Sequence, residues 1–316
     1  TVVFTSADRA QHHYWKFYKK GEDALSKVIP QVYEKIDGYI GEILKEGLPD
    51  TNVIIMSDHG AGPIERVVVL NNWLKERGYL ATKGENRKPD LKIKIYRAAK
   101  RLFPTEIKKK LKSMFPEMKS KLSSFLILSG IDWNKTKAFA EGFYGSIYIN
   151  TSNGRPLGTV RSEDYDFVCN KIIEELKDLI DPKTGIKPVK EAYRKKDIYF
   201  GNSIDSAPDI IIQPARGYQF IGDFVRLQHA GSLKEREVFV DALRTRVSGT
   251  HTPEGILIMQ GDSIKKGEKI TGAEIGDLPV TILGLLGIPI PEDMSGRFLK
   301  DILNKTSKVK YVSGGE

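Results

Sequence analysis

Apolar residues recur at three- and four-residue steps between Ala24 and Leu44, among them Leu25, Val28, Val32, Ile36, Ile40 and Ile43. That spacing lines one face of a helix with 3.6 residues per turn, and the stretch from Gly47 to Asp50 ends it. Two short β-branched or aliphatic runs flank this helix. Thr1–Thr5 reads as a buried strand, and so does Asn52–Met56, which runs directly into Ser57-Asp58-His59-Gly60. A helix followed by a strand with polar residues at its C-terminal end is the grammar of a parallel α/β sheet. Further along, Asn72–Gly78 and Tyr165–Leu179 carry helical spacing. Phe139, Ile147–Ile149, Asp209–Ile212 and Ile256–Met259 read as strands, and Asp277–Leu286 as a last core helix ended by Gly287. The polar tail from Thr306 is expected to be flexible.

The pattern is broken by a basic stretch. Residues 83–121 hold 14 Lys/Arg against 4 Asp/Glu, while the remainder of the chain holds 36 and 37. The net charge of +9 is therefore regional. A solvated helical face explains it most simply. Steering of anionic substrates, or contact with an anionic lipid surface or nucleic acid, are the functional readings of the same residues. The single cysteine, Cys169, cannot form an intramolecular disulfide, which argues against a disulfide-stapled secreted fold and for a reducing, cytoplasmic compartment. No run reaches the ~18 uncharged apolar residues of a membrane span.

Chemistry concentrates where strands end. Only five histidines are present. Asp8 and His12 stand four residues apart beside the first apolar run; Asp58 and His59 close the second; His251 precedes a third, in Gly249-Thr250-His251. Imidazole and carboxylate together make an N/O donor set suited to Zn²⁺, and also to Mn²⁺ or Fe²⁺. Side chains at the C-terminal ends of parallel strands converge on one crevice.

The ordered set of motifs resembles a known family. The run from Asp8 to Trp15 resembles the Asp-x-x-x-His metal motif of the type I phosphodiesterase/nucleotide pyrophosphatase family, in the alkaline-phosphatase superfamily. Ser57-Asp58-His59-Gly60 resembles its second metal motif, and Asn71-Asn72-Trp73-Leu74 with Gly78-Tyr79-Leu80 the segment that follows. The stretch from Gly249 to Gly255 resembles the region of the last metal histidine, and Ile275 to Gly296 the C-terminal end. The resemblance implies an α/β fold with a mostly parallel sheet sandwiched by helices and a cap-like helical/β insertion. It divides the chain into core residues 1–80, an insertion at 81–201 that includes 83–121, a return to the core at 202–305 and a tail at 306–316.

The resemblance also implies two divalent metals, Zn²⁺ first and Mn²⁺ second. Asp8, His12 and His251 would hold one; Asp58 and His59 would give half of the other. Glu141 and Tyr144 fall where the family has residues lining the substrate pocket. In the family, an Asp and a Thr or Ser nucleophile come from an N-terminal strand and helix start. No stretch here matches that segment, so the implied partner is the missing N-terminal half of the same fold. The implied reaction is hydrolysis of phosphodiester or pyrophosphate bonds in a small phosphorylated, nucleotide-like substrate. Phosphomonoester, sulfate-ester or phosphonate hydrolysis and phosphoglycerate mutation use related ligands. A non-catalytic metal-binding fragment stands outside that enzyme class.

Overall fold

A computed structural model describes residues 1–21, 23–47, 50–83, 130–152, 158–222, 237–242, 247–304 and 309–313. In its first part the elements are α1 (Ser6–Lys20), α2 (Val28–Glu46), β1 (Val53–Met56), β2 (Gly60–Pro63), β3 (Arg66–Val69), α3 (Leu70–Glu76), β4 (Ala138–Glu141) and β5 (Ser146–Ile149). Then come α4 (Tyr165–Lys177), β6 (Val189–Arg194), β7 (Ile210–Pro214), β8 (Tyr218–Ile221), β9 (Phe239–Asp241), β10 (Gly249–Thr252) and β11 (Leu257–Gln260). The last are α5 (Asp277–Leu285), β12 (Ile290–Pro291) and β13 (Tyr311–Val312). The chain forms two compact units, residues 1–62 with 249–316, and residues 63–248. Apart from Lys83, the basic stretch 83–121 lies outside the described residues, as does His229.

The first unit is held by short elements. Gly21 ends α1 in the left-handed region (φ 73°), its N–H donating to the Phe17 carbonyl. Asp23 then caps the single 3₁₀ turn Ala24–Lys27 by accepting from the Ser26 N–H at 3.0 Å. Along α2 the expected stripe exists in part: Ile29 is buried and Val28, Val32, Ile36 and Ile40 are half-buried, while Leu25 before the helix and Ile43 near its end are exposed. β1 pairs antiparallel with β11, Val53 opposite Gln260 and Met56 opposite Leu257. β2 pairs with β10. The buried centre is small: Ile264, Leu299, Ile302 and Leu303, with Leu257, Met259 and Phe298 packed on them.

Among its described residues the second unit has two sheets, in strand orders β4-β5-β7-β6 and β8-β3-β9. β3 is buried throughout, its three valines by hydrophobicity and Arg66 by its ion pairs with Asp181 and Asp241. Because successive strand residues point to opposite faces, Val68 joins the large core with Trp73, Phe139 and Ile210, while Val67 and Val69 pack with Ile64, Ile221 and Val240. α3 follows β3 without a loop, and its buried Asn71 amide links strands. Nδ2 donates to the Ala140 carbonyl at 2.9 Å, and Oδ1 accepts from the Ala140 N–H at 2.7 Å. That is a structural reason for asparagine inside an otherwise apolar segment.

Three expectations change. Thr1–Phe4 forms no strand and is largely exposed, with Val3 78% accessible. An apolar run signals burial only where a partner covers it, and among the described residues none pairs with this one. The tail is not wholly irregular, since Tyr311–Val312 pairs parallel with Ile290–Pro291. The sheet expected to be mostly parallel is instead several small sheets of mixed α/β structure. Among the described residues, β3–β8 and β12–β13 pair parallel, while β1–β11, β3–β9 and the whole four-stranded sheet are antiparallel. The reason is local at β4–β5. The turn Gly142-Phe143-Tyr144-Gly145 has positive φ at both glycines (79° and 67°), and a connection this short can only reverse the chain.

Candidate metal centre

All five candidate ligands lie in the first unit. α1 carries Asp8 and His12 one helical turn apart, so their side chains share a face. β10 carries His251, and the turn between β1 and β2 carries Asp58 and His59. The i,i+4 step brings Asp8 Oδ1 to 3.2 Å from His12 Nε2. His251 reaches the same point from a strand 239 residues later, its Nε2 lying 3.0 Å from His12 Nε2 and 3.2 Å from Asp8 Oδ1.

These three atoms form a nearly equilateral triangle of donors. A tetrahedral zinc site with bonds of ~2.0–2.2 Å spaces neighbouring donors roughly 3.3 Å apart, so the triangle fits. The tautomers sharpen the test. His12 Nδ1 is 2.7 Å from the Gly249 carbonyl, which can only accept, so the ring proton is on Nδ1 and Nε2 carries a lone pair. That lone pair faces a second imidazole nitrogen and a carboxylate oxygen. Such a group of acceptors is satisfied by a proton on His251 or by a cation among them.

His59 extends the cluster. Its ring stacks on His251 with centroids 3.5 Å apart and planes 17° from parallel. His59 Nδ1 donates to the Gly60 carbonyl at 2.9 Å, leaving Nε2 as the free donor atom, 3.6 Å from Asp58 Oδ1. Asp58 is the most open of the five, its side chain 76% exposed against 25–43% for the others. Burial, then the neighbouring His59 and His12, hold the His251 pKa below the usual histidine range, with Asp8 pulling the other way. A neutral imidazole at neutral pH is the ligating form.

Glu141 and Tyr144 fall in the second unit. Glu141 ends β4 half-buried, and Tyr144 sits 74% exposed in the glycine turn beside Phe143, which packs inward on the second core. Cys169 is buried and free, and burial pushes its thiol up to about 12, so it carries no thiolate at neutral pH. The carbonyls of Gly249 and Gly60 orient the two histidines; a glycine beside each histidine motif is visible in the sequence, but the direction of its carbonyl is not.

The sequence model of the type I phosphodiesterase/nucleotide pyrophosphatase family matches residues 1–231. The chain belongs to that family. The match contains Asp8, His12, Asp58 and His59, and His251 joins them through the fold. No curated protein matches the chain. Among solved structures it is similar to human ectonucleotide pyrophosphatase/phosphodiesterase 5, at 14% identity and a TM-score of 0.43. It is also similar to the murine protein, at 15% identity and the same TM-score. In both comparisons the likeness covers 94% of this chain and 56% of the other, so the chain spans about half the length of these proteins. Phosphonoacetate hydrolase from Sinorhizobium meliloti 1021, in complex with phosphonoformate, is 12% identical with a TM-score of 0.33, over 79% of this chain and 43% of that one. Among the described residues, no helix is long and apolar enough to cross a membrane.

Proposed function

We propose that the first unit carries a metal centre for hydrolysing phosphodiester or pyrophosphate bonds in a small phosphorylated, nucleotide-like substrate. The observation that carries this reading is the triangle of Asp8 Oδ1, His12 Nε2 and His251 Nε2, with sides of 3.0–3.2 Å. Asp8, His12 and His251 would hold one divalent ion, zinc by donor chemistry. Asp58 and His59 would hold a second, more weakly, since they offer two donors instead of three. Family membership supports the reaction class.

When bound, the two ions would supply positive charge to phosphoryl oxygens and lower the pKa of a hydroxyl nucleophile, for which a Thr or Ser is the proposed residue. The protein's own part is arrangement. α1 fixes the Asp8–His12 step, and the Gly249 and Gly60 carbonyls turn the Nε2 atoms of His12 and His59 to the free position. Asp8 adds a negative charge, which favours positive charge held among the histidines. The exposed Asp58 leaves one side of the cluster open to an anionic substrate.

Binding of a nucleoside monophosphate, a product-like ligand, tests the reading. Calorimetry should detect it on the zinc-loaded chain and not on the chain stripped with chelator. Equal binding in both states would refute a metal-borne phosphate site.

A further inference from the structure

The two histidines whose tautomer is fixed are fixed in the same way, by glycine carbonyls. Gly249 and Gly60 lie on β10 and β2, which pair with each other. Both positions are closed to larger residues. A Cβ on Gly249 would run into the Gln11 carbonyl group and lie 3.4 Å from the His12 Cα. A Cβ on Gly60 would run into the Glu254 carbonyl oxygen and the Thr252 side chain. Gly249 is buried, and α1 packs against β10 at this point. The missing side chain lets the helix backbone approach the strand, and that approach sets the 2.7 Å contact between His12 Nδ1 and the Gly249 carbonyl.

We infer that Gly249 is the positioning residue of the metal centre. It brings α1 against β10 and locks His12 in the Nδ1–H tautomer, so that Nε2 of His12 meets Nε2 of His251. Gly60 does the same for His59 through its own carbonyl. The inference rests on the proposed metal reading for its consequence and on geometry alone for the tautomer. Adding one methyl group at Gly249 forces the helix and strand apart, lengthens the contact to His12 and frees the ring to rotate. Losing an orienting partner of a metal-ligating histidine lowers affinity by roughly 10–100-fold.

Two measurements on the 316-residue chain test this. Nitrogen-15 NMR of the histidine rings in the zinc-free protein should show Nδ1–H tautomers for His12 and His59. The Nε2–H tautomer at His12 would overturn the inference, whatever the protein does with metals. Zinc competition against a chromophoric chelator should show Gly249→Ala binding about 10–100-fold more weakly than wild type, with an unchanged circular dichroism spectrum. A folded variant that keeps wild-type affinity would overturn it too. If Gly249→Ala fails to fold, or if the wild type takes up no zinc, the tautomer measurement decides the inference alone. In the second case the proposed metal reading falls, and a Nδ1–H result still upholds the carbonyl's positioning role.

Discussion

Two polar clusters, one in each unit, handle charge in opposite ways. In the second unit, Arg66 is enclosed. It donates to both oxygens of Asp181, at 2.7 and 3.0 Å, and to Asp241 at 2.9 Å. Asp181, fully buried, also accepts from the Tyr218 hydroxyl and the Lys183 N–H. Strand register produces this arrangement, because Arg66 on β3 stands opposite Tyr218 on β8 and Asp241 on β9. Every charge there has a partner, and the cluster is finished. In the first unit, Asp8 Oδ1, His12 Nε2 and His251 Nε2 converge on one another, and none of these side chains is fully buried. A satisfied cluster of charge is architecture; a convergent set of half-exposed donors is a candidate site.

Breaking the enclosed side should cost the most. Phe139, in the middle of the large core, is fully buried. Phe139→Ala should cost about 3–5 kcal/mol in urea denaturation. Asp181→Asn should cost up to about 3–5 kcal/mol, because it removes the bidentate charged partner of Arg66 and leaves Asp241 alone to balance the guanidinium. Its pH signature separates it from a packing defect. Burial pushes the Asp181 carboxyl up, but hydrogen bonds from Arg66 and Lys183 and the Arg66 charge hold it below its ordinary value. A depressed carboxylate stabilises the fold above the unfolded pKa, near ~3.9, and that stability is lost as pH falls further. Wild type should therefore lose stability in acid more steeply than Asp181→Asn. Parallel profiles would show that the cluster is not what holds this face.

On the open side, effects should appear in metal affinity first. Zinc uptake should weaken as pH falls through the histidine range near ~6.5. Because burial and neighbouring imidazoles hold His251 below that range, its protons should compete only at lower pH. An affinity independent of pH between 5 and 8 would exclude histidine ligation. The smallest effect belongs to the surface of the same unit. Ile258 on β11 is 57% exposed. Ile258→Ser should change stability by less than about 1 kcal/mol, and a larger loss would mean that this strand is covered in solution.

Candidate ligands can be named from the sequence, and the sheet only in part. Asp8 and His12 are paired by the Asp-x-x-x-His spacing; that the spacing is one turn of a helix shows only in the fold. His251, far away in sequence, could be joined to them only through the order of motifs. Strand existence was readable at Phe139, Ile147–Ile149 and Asp209–Ile212 because each is a short buried run. Strand direction was not, since a buried run looks the same in either direction and the deciding feature was a four-residue turn. Thr1–Thr5 failed for a related reason: its pattern reports what the residues can bury, not what is present to cover them. The Arg66 cluster left no signal, because its members are spread from residue 66 to residue 241 and meet only through register.

Zinc stoichiometry of the purified chain, titrated beside His12→Ala, tests the central claim most directly. One tightly bound zinc per wild-type chain, weakened more than 100-fold in the variant, beyond the roughly 10–100-fold of an orienting partner, is the expected result. A wild type that takes up no zinc, or a folded variant that binds it as tightly, would contradict the metal centre at Asp8, His12 and His251.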